Sequence, residues 1–159
     1  MSKYMPTTKR ELQALVDNLE VNLGDIDTSE ISDMSHLFSD SKRTDFTGIE
    51  EWDVSKAESM SWMFRSVEAF NQDIGSRDTS NVRDMSGMFY EASKFNQDIS
   101  KWDTSRVWRM AFMFGGATNF NQDISSWDTS EVEDMECMFD YCPISEANKP
   151  LKCRKIQGD

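Results

Sequence analysis

Apolar residues recur along this chain at a fixed spacing, and the polar residues between them recur with the same period. The phenylalanines at one position lie 25 residues apart, at Phe64, Phe89, Phe114 and Phe139. Methionine and isoleucine keep this spacing, in the rows Met60, Met85, Met110 and Met135 and Ile49, Ile74, Ile99 and Ile124. A more divergent unit with Met34 and Phe38 lies 26 residues before the next. The periodicity predicts about five units that stack on one another, with equivalent residues in rows. We number the units one to five in chain order, starting from the unit that contains Met34.

The fourth unit shows most clearly which elements each unit is expected to contain. Ile99, Trp102 and Thr104 have a spacing that resembles the leucine-rich-repeat signature, in which a short strand directs alternate residues into a stacked core. This spacing predicts a strand over residues 100–104. The apolar residues that follow have the i, i+3, i+4, i+7 spacing of a short helix, and they are Met110, Met113, Phe114 and Ala117.

Strand, turn and helix would together close one coil. The pattern therefore predicts an α/β solenoid over residues 26–142, a leucine-rich-repeat-like, right-handed stack of about five 25-residue coils. The rows of phenylalanine, methionine and isoleucine are expected to form its core. Asparagine residues, each followed by glutamine, are expected to form a hydrogen-bonded ladder at Asn71, Asn96 and Asn121.

The N-terminal residues 1–25 are predicted to form a capping helix and a strand that leads into the first unit. Thr8 and Glu11 have the spacing of a capping box, and residues 7–20 carry one apolar stripe, made of Leu12, Leu15, Val16 and Leu19. A helix with one apolar face is suited to cover the open end of a stack. Residues 21–26 then alternate as a strand does.

Residues 143–159 are predicted to be a C-terminal cap or tail, because Pro143 ends the repeat pattern. Ile144 and Leu151 are the apolar residues expected to cover the fifth unit. The last few residues are expected to be loose, as chain ends commonly are.

The chain is strongly acidic, with a net charge of -12 and a pI near 4.5. Such a charge argues against nucleic-acid phosphates or an anionic membrane as the main partner. Apolar stretches fall short of the roughly 20 residues that cross a bilayer, so membrane insertion is not expected. The first residues show no apolar leader and no lipidation cysteine, which favours a cytoplasmic location.

Candidate catalytic residues are few. His36 is the single histidine of the sequence, and no motif spacing pairs it with a nucleophile, so we expect neither an enzyme nor a cofactor. The cysteines form no C-x-x-C pair, so no metal site is expected at Cys137, Cys142 and Cys153, and their redox state stays open.

Aspartates form a further row, made of Asp53, Asp78, Asp103 and Asp128. Each is expected to accept hydrogen bonds from the backbone of the following turn. A bridging divalent cation is the alternative, although no calcium-loop spacing is present.

The clearest functional clue lies where the units differ from one another. One row of the predicted helix face reads His36, Trp62, Gly87, Phe112 and Cys137. Stacking does not require large aromatic side chains there, and Trp and Arg are typical of interface hot spots. We therefore hypothesise a partner-binding patch whose residues are Trp62, Arg65, Arg106, Trp108, Arg109 and Phe112. The alternatives are surface variation without a role and packing under a neighbouring turn.

The unit as a whole, W-D-T-S-x-V-x-x-M-x-x-M-F-x-x-A-x-x-F-N-Q-D-I-S, resembles a known family of repeats. It is similar to the BspA-type repeats of bacterial surface proteins, in particular the 25-residue form of mycoplasma surface lipoproteins. The resemblance implies a leucine-rich-repeat-like solenoid that makes protein–protein contacts, often in adhesion at the cell surface. It thus implies a surface or secreted location, and the location stays open. Arg77 departs from the pattern, since it stands in the row of Trp52, Trp102 and Trp127.

These observations favour a non-enzymatic protein-binding module with an unidentified protein partner, and adhesion or host contact as its implied setting. A homodimer through the patch is a second possibility. Three other functions stay open: an acidic decoy of a basic or nucleic-acid-binding protein, a purely structural or self-associating repeat protein, and a carboxylate-dependent hydrolase.

Overall fold

The computed structural model describes residues 2–155, and regular secondary structure is scarce in this range. One α-helix, α1, spans Lys9–Asp17 of the described chain. Short 3₁₀ turns lie at Leu23–Asp25, Ile49–Glu51, Glu146–Asn148 and Leu151–Cys153. Neighbouring units meet through isolated parallel bridges, which are Asp33–Ser59, Ser59–Asp84, Asp84–Arg109 and Arg109–Asp134. The described residues form no strand and no sheet.

The predicted α/β solenoid of leucine-rich-repeat type is therefore wrong, and the strand expected over residues 100–104 shows why. The Asp98 carboxylate accepts a hydrogen bond from the Ser100 N–H at 2.9 Å. The Asp103 carboxylate accepts one from the Ser105 N–H at 3.0 Å. These side-chain-closed turns follow each other so closely that only residues 102–104 lie between them, and these residues form no bridge to a neighbouring unit.

The short helix expected after Met110 is also absent from the described structure, because its backbone is left-handed at two points. Phe112 and Gly116 have φ angles of 60° and 70°. The Phe112 N–H donates to the Glu136 carbonyl of the next unit at 2.9 Å, whereas the Met113 N–H turns back to the Met110 carbonyl at 3.2 Å. Consecutive turns give the same i, i+3, i+4, i+7 spacing of apolar residues as a helix does. The sequence pattern therefore does not distinguish a helix from a series of turns.

Equivalent residues of successive units do lie in rows, as the periodicity predicted. Ring centroids are 5.5 to 5.8 Å apart along the row Phe38, Phe64, Phe89, Phe114 and Phe139. A second phenylalanine row faces the first, and the Phe89 and Phe95 rings stack at 3.9 Å. With the methionine and isoleucine rows they form one core, against which Met135 and Phe139 of the fifth unit are only partly buried. Inter-unit hydrogen bonds and ring stacking thus hold the units together without a sheet.

Polar rows follow the same register on the outside. The Asn96 N–H donates to Asn71 Oδ1 at 2.9 Å, and Gln97 Nε2 donates to the Asn71 carbonyl at 2.9 Å. The same two bonds recur one unit later, so the predicted amide ladder is confirmed. The predicted bonds to the aspartate row are confirmed as well, and in the fourth unit both the N–H and the hydroxyl of Ser105 donate to Asp103.

The tryptophan row is interrupted in the third unit. The Trp102 and Trp127 indoles stack at 6.3 Å, and each donates its Nε1–H to an isoleucine carbonyl of the preceding unit. Arg77 occupies the intervening position between Trp52 and Trp102 and donates from Nη1 to the Trp52 carbonyl at 2.9 Å. Its buried Nε has no partner, and an apolar cavity of about 20 Å³ lies beside it.

Helix α1 covers the first unit and begins with the predicted capping box. The Thr8 hydroxyl accepts from the Glu11 N–H, and the Glu11 carboxylate accepts from the Thr8 N–H. Leu12 and Val16 are buried in the core, but Leu19 is 55% exposed because the helix ends at Asp17. The strand predicted over residues 21–26 is replaced by a 3₁₀ turn.

Arg43, which the sequence patterns did not single out, ties α1 to the stack. Its buried guanidinium donates to the carbonyls of Val16, Asn18 and Val21 at 2.9 to 3.2 Å. Val16 lies in the last turn of α1, and Asn18 and Val21 follow it, so these carbonyls lie where a helix end leaves backbone acceptors without helical partners. The arginine side chain therefore supplies hydrogen-bond donors to backbone carbonyls at the C-terminal end of α1.

The C-terminal segment continues the polar ladder past the last unit. Ile144 is buried as predicted, whereas Leu151 is 76% exposed, so its predicted covering role is wrong. Asn148 takes the place of a ladder glutamine, and its Nδ2 donates to the Asn121 carbonyl at 3.1 Å. Lys149 lies with its Nζ 5.4 Å from the centre of the Phe139 ring. The expectation of loose final residues concerns positions that lie mostly outside residues 2–155.

Candidate protein-binding surface

Each unit has left-handed backbone at the same two positions, which follow the methionine row and flank the phenylalanine row. The φ angles are between 53° and 70° along the rows His36, Trp62, Gly87, Phe112, Cys137 and Asp40, Ser66, Glu91, Gly116, Tyr141. This conformation costs a residue with a side chain about 1–2 kcal/mol, and glycine adopts it freely. The large aromatic residues in these rows therefore carry a backbone cost that glycine would not have.

Four side chains in or next to these rows form an aromatic cluster, which we define as His36, Trp62, Tyr90 and Phe112. The Trp62 ring centroid lies 5.6 Å from Tyr90 and 6.2 Å from Phe112, and Tyr90 lies 6.3 Å from Phe112. His36 stacks on Trp62 at 6.5 Å. The exposed and half-exposed rings of four units thus meet in one place.

Gly87 makes this meeting possible. Trp62 belongs to the second unit and Phe112 to the fourth, so a side chain of the third unit would ordinarily stand between them. A Cβ atom at position 87 would lie 2.1 Å from the Trp62 ring. The absence of a side chain there lets the indole lie over the glycine and reach Phe112.

The cluster lines a shallow depression of about 310 Å³, to which Arg65 contributes the charged edge. Arg65 lies 3.8 Å from Asp40 of the preceding unit in a largely exposed pair, which contributes little to stability. The depression therefore offers flat apolar rings with one guanidinium beside them.

A second depression adjoins the first, and Tyr90 and Phe112 line both. We call it the diglycine groove, because Gly115 and Gly116 lie along it. Its volume is about 390 Å³, and its remaining lining residues are Glu91, Cys137, Asp140 and Tyr141. Tyr141 is 90% exposed although its backbone is left-handed, with a φ of 56°.

The structure brings together only part of the patch that the sequence suggested. Trp62, Arg65 and Phe112 lie around one depression. The other three residues, Arg106, Trp108 and Arg109, line neither depression.

Those three residues have partners of their own. Trp108 is 45% exposed, and the Arg109 guanidinium lies 5.3 Å from its ring. Arg109 also lies 3.8 Å from Asp84 and 4.0 Å from Asp134 of the neighbouring units. Arg106 Nη1 donates to Asn81 Oδ1 at 3.0 Å.

Sequence reasoning missed the residues that complete the surface, although a signal for them exists. Tyr90 stands in the row of Arg65, Gly115 and Asp140, and Tyr141 follows Glu91 and Gly116 in the next row. These rows vary as strongly as the row of Trp62. The comparison between units that revealed Trp62 and Phe112 would have revealed these residues too.

The cysteines nearby are free thiols, and all three have a raised pKa. The Asp140 carboxylate raises the pKa of the Cys137 thiol above its ordinary value of 9.0. Burial raises the pKa of the Cys142 and Cys153 thiols. Each thiol is thus stabilised in its protonated form, which is neither the nucleophile nor the metal ligand. Among residues 2–155 no group of three or more ligand side chains is placed to hold a metal ion.

Comparisons with known proteins give one match. A family model described as "Mycoplasma protein of unknown function, DUF285" matches residues 8–100 and again residues 75–155. No curated protein and no solved structure matches the chain. In the part of the chain that the structure describes, no helix has the length and apolar character needed to cross a membrane.

Proposed function

The chain belongs to the DUF285 family of Mycoplasma proteins of unknown function, and we propose that it is a non-enzymatic module that binds another protein through the aromatic cluster. One observation carries this proposal. Trp62 and Phe112 hold left-handed positions that glycine adopts without backbone strain, and Gly87 between them allows their rings to meet at the surface.

The energetics of the cluster favour a partner. The rings of Trp62, Tyr90 and Phe112 are only partly buried, and a second protein would remove the rest of their surface from water. Tryptophan, tyrosine and arginine dominate interface hot spots, and Trp62, Tyr90 and Arg65 lie together here. The rings are also held against one another, which lowers the conformational entropy lost on binding.

The resemblance of the unit to BspA-type repeats of bacterial surface proteins supports the same proposal, since that resemblance implies protein–protein contact. We include adhesion or contact with a host protein in the proposal on this ground. The aspartate rows, by contrast, are occupied by hydrogen bonds to their own turns, which speaks against a role for them as catalytic carboxylates.

The test compares one double variant with a matched control. Trp62→Ser combined with Phe112→Ser removes both rings from left-handed positions, so folding should be preserved, as circular dichroism can verify. Trp108→Ser removes an exposed tryptophan that lies outside the cluster. Immobilised protein first captures a binding protein from extracts of the source cells, and its affinity for each purified variant is then measured by biolayer interferometry.

We expect the double variant to bind about thirtyfold more weakly or worse, because truncation of one hot-spot residue already costs about 2 kcal/mol. The Trp108→Ser control should bind as the unaltered protein does. Equal affinity of the double variant and the unaltered protein would contradict the proposal. Sedimentation velocity identifies self-association, in which case the captured protein is a second copy of this chain.

A further inference from the structure

The diglycine groove exists because the fourth unit lacks two side chains that its neighbours carry. Position 115 is equivalent to Tyr90 and Asp140, and position 116 is equivalent to Glu91 and Tyr141. The fourth unit therefore contributes only backbone at these two positions.

Side chains of the third unit lie over both glycines. A Cβ atom at position 115 would lie 3.0 Å from the Tyr90 ring, and one at position 116 would lie 3.1 Å from Cγ of Glu91. Gly116 also has a φ of 70°, which favours glycine. Tyr90 and Glu91 thus form one wall of the groove where the fourth unit contributes only backbone.

The walls of the groove combine aromatic rings with negative charge. Tyr90, Phe112 and Tyr141 supply the rings, and Glu91 and Asp140 supply the carboxylates. None of the described residues that line the groove is cationic, whereas the adjoining depression has Arg65 at its edge. The raised pKa of the Cys137 thiol beside Asp140 reflects the same negative surroundings.

We propose that the diglycine groove binds an arginine side chain of a basic segment of the protein partner. This inference rests on the proposed function and names the chemistry of the partner. The charge of the groove and its aromatic walls together support it. A guanidinium is planar, stacks on aromatic faces, and forms paired hydrogen bonds with a carboxylate.

Lysine matches this groove less well. Its ammonium is a compact and strongly hydrated charge without a flat face to place against Tyr90 or Tyr141. The net charge of -12 would in addition attract a basic segment from a distance and raise its association rate.

The experiment titrates isotopically labelled protein with N-acetyl-arginine amide and follows backbone amide signals by NMR. N-acetyl-citrulline amide is the control ligand, because it has nearly the same shape without the charge. N-acetyl-lysine amide tests the preference for a guanidinium. All titrations are run at equal ionic strength.

The variants distinguish binding by the groove carboxylates from attraction to the acidic surface in general. Glu91→Gln and Asp140→Asn each remove one carboxylate from the groove with little change in shape. Glu131→Gln makes the same change at an exposed residue outside it and serves as the matched control.

We expect saturable shifts centred on the amides of Gly115, Gly116 and Tyr141 with the arginine derivative, and none with citrulline. Glu91→Gln and Asp140→Asn should each weaken binding by up to about fivefold, the upper end of what an exposed charge pair contributes. Glu131→Gln should leave binding unchanged.

Three results would overturn the inference: equal shifts with citrulline, shifts spread evenly over the acidic surface, or binding of lysine as tight as that of arginine. If any of these is found while Trp62→Ser with Phe112→Ser still abolishes partner binding, the proposed function stands and only the arginine groove is refuted. Loss of partner binding in Asp140→Asn, with no loss in Glu131→Gln, would extend the result from the amino-acid derivative to the protein partner.

Discussion

The gap in the tryptophan row gives the sharpest test of how the stack is stabilised. Arg77 stands where the other units have tryptophan, beside an apolar cavity of about 20 Å³. Its Nε is buried without a partner, and its Nη1 donates one hydrogen bond to the Trp52 carbonyl. We expect Arg77→Trp to stabilise the protein, because it would complete the row from Trp52 to Trp127.

The size of the effect follows from the interactions that the substitution makes and breaks. Filling the cavity is worth about 0.5 kcal/mol, at roughly 24 cal/mol per Å³. New stacking with Trp52 and Trp102 adds about 0.5–1.5 kcal/mol for each pair. The guanidinium bonds to the Trp52 carbonyl and the Ser76 hydroxyl are lost, at about 1 kcal/mol each. An indole N–H bond to the Ile49 carbonyl, as at Trp102, replaces one of them. We expect a net stabilisation of about 1–2 kcal/mol from these contributions.

Urea unfolding followed by circular dichroism measures this stabilisation, and thermal unfolding should show a Tm higher by roughly 2–8 °C for a chain of this length. The matched control is Trp102→Arg, which creates the same gap one unit later and should destabilise by about 3 kcal/mol or more. Arg77→Trp with unchanged or lower stability would refute the reasoning. It would mean that the arginine hydrogen bonds contribute more than the completed row.

The remaining predictions concern the core, the N-terminal cap and acid stability. Phe89→Ala should lower the free energy of unfolding by about 3–5 kcal/mol, because this fully buried ring stacks on both neighbouring units; a loss under about 1 kcal/mol in urea unfolding would contradict the row packing. Arg43→Met should leave carbonyls at the end of α1 unsatisfied and cost about 2–4 kcal/mol, seen as faster hydrogen exchange of the α1 amides; unchanged exchange would show that α1 does not depend on this arginine. The Ser105 hydroxyl and N–H hold the pKa of Asp103 below its ordinary value of 3.8, as similar turns do for other aspartates. The folded state therefore binds fewer protons than the unfolded state, so this stability is fully present above about pH 4 and is lost as the pH falls below it. Ser105→Ala should raise the Asp103 pKa toward its ordinary value in a carboxyl-carbon NMR titration, and an unchanged pKa would remove the turn as the cause.

The period of the sequence determined which residues meet. A row forms wherever units of equal length stack, so the identity of a residue one period away gives its neighbour. Phe64 and Phe89, or Asn71 and Asn96, were paired correctly on this ground. The capping box of Thr8 and Glu11 is local and was also correct.

The backbone path within a unit was not determined by these patterns. The spacing from Met110 to Ala117 is shared by a helix and by consecutive turns. What decides between them is the left-handed backbone at Phe112 and Gly116, which inter-unit hydrogen bonds hold in place. Such bonds form only when the units stack, so they cannot be predicted from the local sequence.

The candidate site was likewise predictable from the sequence only in part. Differences between units identified Trp62 and Phe112 from the sequence, because a row shows which residue departs from its equivalents. Only the tertiary structure decided that Tyr90 joins them, that Trp108 does not, and that Gly87 lets rings from the second and fourth units touch. Contacts between different rows depend on how far each side chain reaches across the surface, and that distance is set by the folded backbone and not by the repeat period.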